Sequence, residues 1–184
     1  AVIISHNNAI NWHYAVTKSF STNTKQAVRL WGKTDDEGNE ILSWDAEPNS
    51  SYTTAFGTQS SFINGALYVP DGAEIELDLK GVNLNRNLKT ARAGGYVIDV
   101  AGKLKIVDTS ESGETGVITG GNNNSSSSAG AIHIAAGGQC TLDGAFIAEN
   151  VATGSSSAGA VYVAGKAGDR ETVFEFLSGT ISEN

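Results

Sequence analysis

The sequence is poor in cysteine, proline, methionine and charged residues, and two of these shortages exclude whole classes of structure or partner. Among 184 residues there is one cysteine, Cys140, so no internal disulfide can form. Lysine and arginine number 12 against 20 acidic residues, and the resulting net charge of −8 argues against a nucleic-acid partner. The sequence also contains no run of about 18 apolar residues, so this segment has no membrane span.

Glycine and short apolar runs are abundant. Glycine accounts for 22 residues, and hydrophobic residues make up 40% of the chain. A disordered chain lacks such recurring apolar runs, so the composition indicates a folded domain of ordinary size.

Similar short segments recur about every thirty residues. A first segment of alternating apolar residues starts at residues 66, 97, 131 and 160. A second segment follows, and residues 77–87, 140–150 and 174–184 align without a gap, while the copy beginning at Leu104 fits with an insertion. A third apolar position recurs at Leu84, Ile118, Ile147 and Ile181. Self-similarity of this kind predicts one structural unit per period.

Each unit contains three short runs of period two, which predicts three short strands. A run this short cannot bury its apolar side alone. Stacking the same run from successive units in parallel, roughly 4.8 Å apart, gives a continuous interior. We therefore predict an all-β fold, a parallel β-helix (β-solenoid), over residues 61–184. A β-sandwich is the rival, but it does not require like residues to recur at matched offsets.

Residues 1–60 differ from the repeats and are predicted to form an N-terminal cap. Trp12, Val16 and Phe20 recur at helical spacing, which predicts a short α-helix in this region. An uncapped β-helix end would invite edge-to-edge association. No comparable cap follows the last repeat, so we expect the C-terminal end to continue into further coils or to meet a partner.

Asparagine and serine mark the predicted turns. Asn87, Asn122, Asn150 and Asn184 follow the third run at equivalent places. This recurrence predicts a ladder of stacked amides, although asparagine is also common in turns generally. Residues 122–130 and 154–159 are rich in glycine and serine and are predicted to be flexible loops leaving the coils on one edge.

No catalytic or metal-binding constellation emerges from the sequence. The histidines lack zinc spacing, and Cys140 stands alone. The acidic run 34–40 has several oxygen donors but not the spacing of an EF-hand. The serine-rich segment 154–158 approaches a nucleophile elbow, but Ala158 replaces the final glycine. We therefore expect no catalytic residue, no metal and no cofactor.

The outward positions of the first run form the best candidate for a ligand-binding site. They are occupied by Tyr68, Asp99, His133 and Tyr162, and stacking of the repeats would place all four on one face. Tyrosine rings can stack on sugars, while Asp99 and His133 can bond to hydroxyl groups. The alternative is that these are ordinary residues of a pleated surface.

The outward positions of the second run predict structure rather than a site. They are Asp78, Lys105, Thr141 and Glu175. Asp78 beside Lys105 would form an ion pair across neighbouring strands.

Three segments carry a resemblance to a known group of proteins. They read GALYVPDGAEIELDLKG at 65–81, GYVIDVAGKLKIVD at 95–108 and GAIHI at 130–134. The pattern over residues 62–184 resembles right-handed parallel β-helix proteins of the pectate-lyase-like group. More narrowly, it is similar to large repetitive proteins that Gram-positive gut bacteria secrete or anchor to their wall. Residues 9–60 share a looser N-terminal pattern.

The resemblance implies a fold more strongly than an activity. The wider group includes polysaccharide lyases and hydrolases as well as adhesins. Its lyases use clustered acidic calcium ligands, whereas here Asp99 is the one acid of the first-run ladder. Its hydrolases pair aspartates on adjacent coils, whereas Asp35 and Asp36 lie in the predicted cap. Neither catalytic site transfers to this chain.

The resemblance therefore favours a non-enzymatic module of an extracellular bacterial surface protein. Its expected partner is an extracellular polysaccharide or a host glycan or protein, bound on the β-helix scaffold. The alternatives are a lyase or hydrolase fragment, and a structural stalk or fibre subunit.

Overall fold

A computed structural model describes residues 1–5, 9–31, 33–34, 40–43, 60–111 and 113–184. These residues are mostly β, with one helix, α1 (Ala9–Thr22). The strands of the first half are β1 (Val2–Ser5), β2 (Gln26–Trp31), β3 (Lys33–Thr34), β4 (Glu40–Ser43), β5 (Phe62–Ile63), β6 (Ala66–Val69), β7 (Glu74–Asp78) and β8 (Asn83–Asn85). Those of the second half are β9 (Ile98–Val100), β10 (Lys103–Val107), β11 (Val117–Thr119), β12 (Asn122–Asn123), β13 (Ile132–Ile134), β14 (Gln139–Ala148), β15 (Val151–Ala152), β16 (Val161–Val163) and β17 (Val173–Ser182).

The strands form three sheets. The largest has the order β1-β2-β7-β10-β14-β11-β8-β4-β3, with β17 also paired to β14. It is mainly parallel and curled, because the first half of β14 pairs with β10 while its second half pairs with β11. A second sheet has the order β16-β13-β9-β6-β5, and β12 pairs with β15 in a third.

Like residues of successive repeats lie side by side, as predicted. Ile98 pairs with Ile132, and Ile132 pairs with Val161, all in parallel. Side chains alternate between the faces of a strand, so Ile132 and Ile134 enter the interior together, and both are fully buried. Each such isoleucine contributes about 1.5–3 kcal/mol by leaving water.

The helix predicted in the N-terminal region is also present. Trp12 and Val16 are fully buried on α1, as their spacing predicts. Phe20 is 48% exposed, however; it lies in the last turn of α1, with one edge of its ring near Gly72. Strand β2 pairs with β7, so this region shares a sheet with the repeats. The proposed boundary at residue 60 stays a prediction.

The second run of the first repeat is displaced from its predicted register. Leu77 was expected beside Cys140, but Ile75 takes that column, since it pairs with Leu104 and Leu104 pairs with Cys140. The physical reason is a wider turn after β7. The carboxylate of Asp78 accepts the backbone N–H of Lys80 at 3.0 Å, and the φ of Lys80 is +51°.

This displacement also removes the predicted pair of Asp78 with Lys105. Lys105 lies opposite Glu76 in β7 and Thr141 in β14. Its ammonium lies 3.5 Å from Asp143 instead. Both partners of this ion pair are well exposed, so it adds at most about 1 kcal/mol.

The two serine-rich stretches do not project as flexible loops, contrary to the prediction. Ala129 pairs in parallel with Ala158, and the Ser127 amide donates to the Ser155 carbonyl at 2.9 Å. The stretches therefore stack on each other as the strands do. Their small side chains allow this close approach of backbones.

The asparagine ladder is present only in part. The Asn150 amide donates to the Asn184 side chain at 2.9 Å. Asn122 lies outside this ladder because it pairs with Val151, and Gly121 takes the place beside Asn150. The turn after β11 is thus one residue out of the predicted alignment.

The inward residues of the last repeat are less covered than their partners. Val163 is 43% exposed and Phe176 is 50% exposed, whereas their neighbours Ile134 and Leu142 are fully buried.

Among the described residues, no helix is both long enough and apolar enough to cross a membrane.

Candidate functional site

The four outward residues predicted as a site form one continuous ladder. Tyr68 pairs with Asp99, Asp99 with His133, and His133 with Tyr162. They come from β6, β9, β13 and β16, whose flanking apolar residues face the interior. The period of two therefore places all four side chains on the outer face of the five-stranded sheet. We call this surface the Tyr–His face.

The centre of the Tyr–His face is a carboxylate beside an imidazole. Asp99 is only 4% exposed, and its Oδ2 lies 3.3 Å from Nδ1 of His133. Neither Asp99 Oδ1 nor His133 Nδ1 has a hydrogen-bond partner among the described residues. Asp99 thus retains unused acceptor capacity next to a half-buried histidine.

Aromatic rings stack along the ladder on both sides of His133. The His133 and Tyr162 ring centroids are 5.7 Å apart, and their planes differ by 5°. Tyr96 stacks on the other side, with centroids 5.4 Å apart and planes 19° apart. Rings at such distances contribute about 0.5–1.5 kcal/mol beyond the area they bury. The stack therefore holds His133 in one orientation.

Tyr96 is the site residue that the sequence reasoning missed. It does not occupy a ladder position but precedes Ile98 by two residues. The aligned places in the other repeats are Gly65, Gly130 and Gly159. The sequence did contain a signal for this residue, because Tyr96 is the one aromatic residue at a position that the other repeats fill with glycine.

Backbone and side-chain contacts fix Tyr96. Its hydroxyl accepts a hydrogen bond from the side-chain amide of Asn64 at 3.2 Å. Its carbonyl accepts one from the buried guanidinium of Arg86, which also donates to the carbonyls of Gly94 and Asn64. Arg86 thus ties the segments before β6 and before β9 together beneath the Tyr–His face.

The phenols of Tyr68 and Tyr96 are held in their neutral form. Burial, followed by the charge of Asp99, raises the pKa of Tyr96 to about 12. Burial also raises the pKa of Tyr68, and the charges of Asp99 and Asp71 add to the effect. Both side chains therefore present hydroxyl groups that donate and accept hydrogen bonds at physiological pH.

An exposed ion pair flanks the face. The guanidinium of Arg170 donates to the Asp71 carboxylate at 2.8 Å, across 99 residues of sequence. This contact holds the pKa of Asp71 below its usual range. The positive charge of Arg170 is thereby engaged with a carboxylate of its own chain.

Cys140 and His13, the other candidate groups that the structure describes, are buried side chains with structural surroundings. Cys140 is buried in the interior, and burial raises the pKa of its thiol to about 12. His13 Nδ1 lies 2.6 Å from the Ser61 hydroxyl, but both residues are buried, so this contact anchors α1. Residues 35–39 of the acidic run lie outside the described residues. Where the structure describes the chain, no three His, Cys, Asp or Glu residues cluster as metal ligands.

The Tyr–His face is thus a fixed array of hydroxyl groups, one imidazole and one buried carboxylate. Comparison with known proteins adds no assignment, because the chain matches no family model, no curated protein and no solved structure. The chemistry of the face itself therefore carries the functional argument.

Proposed function

We propose that this chain is a non-enzymatic, glycan-binding module of an extracellular bacterial surface protein, built as a right-handed parallel β-helix. The fold proposal rests on the parallel, in-register pairing of successive repeats in both large sheets. The module would present the Tyr–His face to a polysaccharide or a host glycan. The role we propose for this module is adhesion.

The observation that carries the function is the ladder of Tyr68, Asp99, His133 and Tyr162 on one face. Glycans present many hydroxyl groups that both donate and accept hydrogen bonds. Phenol hydroxyls, together with an imidazole, match those groups. The surrounding sheet positions them without a loop that must order on binding, which lowers the entropic cost of association.

The stacking also indicates how a glycan would meet the face. His133 has an aromatic ring on each side, so a ligand approaching from outside meets its edge. Hydrogen bonds from ring edges and hydroxyls would then dominate over stacking of sugars on ring faces. A chain running along the ladder would meet one outward residue about every 4.8 Å.

The same geometry argues against the polysaccharide lyase alternative. A lyase needs a base that removes a proton from the sugar, and the elevated pKa of Tyr68 and Tyr96 opposes phenolate formation. The described residues also hold no acidic cluster of the kind that binds calcium. Asp99 is too deeply buried to form one half of an accessible carboxylate pair.

A glycan array tests the proposal. We expect the wild-type chain to bind at least one glycan class. The double variant Tyr68→Ala/Tyr162→Ala should lose at least about tenfold in affinity, since two hydrogen-bonding groups of the face are removed. Thr141→Ala is the matched control, because Thr141 faces outward on β14 in the other sheet. No binding by the wild type, or equal binding by the double variant, would refute the proposal.

A further inference from the structure

We propose that the Tyr–His face selects non-acidic glycans, neutral or amino-sugar chains, and rejects chains of uronic acids. This inference rests on the proposed glycan-binding function and specifies the ligand class of the same site. The selecting group is Asp99, a buried carboxylate at the centre of the ladder.

The first argument is the placement of negative charge. Asp99 lies between Tyr68 and His133 in the ladder, and Asp71 follows the end of the strand that carries Tyr68 by two residues. Burial weakens the screening of Asp99 by water, so its charge acts over a longer distance than that of an exposed carboxylate. A uronate carboxylate placed on this face would meet that field.

The ionisation of the two tyrosines responds to this negative charge. A phenolate is a negative charge placed at the face. After burial itself, the charge of Asp99 is the next cause that raises the pKa of both Tyr68 and Tyr96, although the buried Arg86 opposes it at Tyr96. A ligand carboxylate at the same positions would meet the same repulsion. A neutral hydroxyl or an ammonium group would not.

Arg170, the exposed arginine that flanks the face, already has a partner in its own chain. Arg170 donates to Asp71 at 2.8 Å, so its charge is already matched. A uronate that used Arg170 as its cationic partner would have to break this pair.

Array binding at pH 8 tests this selectivity directly. The array carries neutral, amino-sugar and uronic-acid chains in sets that share one backbone linkage. We expect the wild type to bind neutral or amino-sugar members at least about tenfold more tightly than the uronate member of the same set, as expected for like charges a few ångströms apart in a partly buried site.

Two variants locate the source of the selectivity. Asp99→Asn keeps the side-chain shape while removing the charge, and we expect the ratio of uronate to neutral binding to rise at least about fivefold. Asp71→Asn is a second variant at an exposed residue, so its folding does not depend on accommodating a substitution in the protein interior. It should shift the ratio of uronate to neutral binding in the same direction. Glu175→Gln removes the same unit of charge from β17 in the other sheet, so it should leave the ratio unchanged.

The outcomes separate the two proposals. Wild-type binding to uronate chains that equals or exceeds binding to neutral chains overturns the selectivity while leaving glycan binding intact. A Glu175→Gln shift as large as that of Asp99→Asn overturns the role of the buried carboxylate. Absence of binding to every glycan overturns the proposed function and the selectivity together.

Discussion

Truncation of Ile134 should cost far more stability than truncation of Val163, although the two residues pair across neighbouring strands. Ile134 is fully buried and Val163 is 43% exposed. Ile134→Ala removes three carbons, worth about 2.4 kcal/mol at about 0.8 kcal/mol each, and leaves a cavity that adds about 1 kcal/mol. Val163→Ala removes two carbons from a side chain that is 43% exposed, which gives about 0.9 kcal/mol with no closed cavity.

Urea unfolding followed by circular dichroism measures both values. The Ile134→Ala variant should lose about 3–4 kcal/mol of unfolding free energy, and its Tm should fall by about 6–16 °C for a domain of this size. The m-value should stay constant, which shows that the native state is retained. Equal losses for the two variants would refute the inference that the inward column is closed over at Ile134 and open at Val163.

Three further predictions test close packing, the amide ladder and the buried thiol. Gly130→Ala places a methyl group 2.3 Å from a carbonyl oxygen of the next repeat and should cost at least about 2 kcal/mol of unfolding free energy. The methyl group of Gly165→Ala meets nothing within 4 Å and should cost less than about 0.5 kcal/mol, and urea unfolding measures both values. Asn150→Ala removes a buried side-chain amide that makes four hydrogen bonds and should cost about 2–4 kcal/mol of unfolding free energy. Asn124→Ala, at an exposed residue, should be nearly neutral, and similar costs for the two variants would contradict the ladder. The pKa of Cys140 is raised to about 12 in the folded state, so its neutral thiol contributes stability that is fully present below about pH 8.5 and is lost as the pH rises toward 12. Cys140→Ala should flatten this decline when unfolding free energy is measured at several pH values.

The stacking of the repeats could be predicted because it depends on residues that recur in the sequence. Ile98, Ile132 and Val161 alternate with polar or aromatic neighbours, and matched offsets define which strands pair. The same rule placed His133 on the outer face. Period and offset are properties of the sequence alone.

The register of the second run could not be predicted in the same way. Ile75, Leu77 and Leu79 alternate continuously, so a shift of two residues keeps the same side chains inward. Only the shape of the turn decides between the two registers. The capping of Lys80 by Asp78 belongs to that turn and has no counterpart in the alternating pattern.

The ladder of the candidate site was predictable, but its internal contacts were not. Alternation places Asp99 and His133 side by side, whereas the 3.3 Å contact between them depends on side-chain rotamers. The stacking of Tyr96 on His133 depends on a residue three positions before Asp99, outside the strand. Contacts between ladder and turn residues require the three-dimensional path of the chain.

Cross-linking of two thiols tests most directly the central claim that successive repeats place the ladder residues side by side on one face. In a Cys140→Ala background, His133→Cys/Tyr162→Cys should react rapidly with dibromobimane, which becomes fluorescent only when it bridges two neighbouring thiols. The control His133→Cys/Val163→Cys places its thiols on opposite faces of the sheet and should stay dark. Absence of fluorescence in the first pair, or equal fluorescence in both, would contradict the claim.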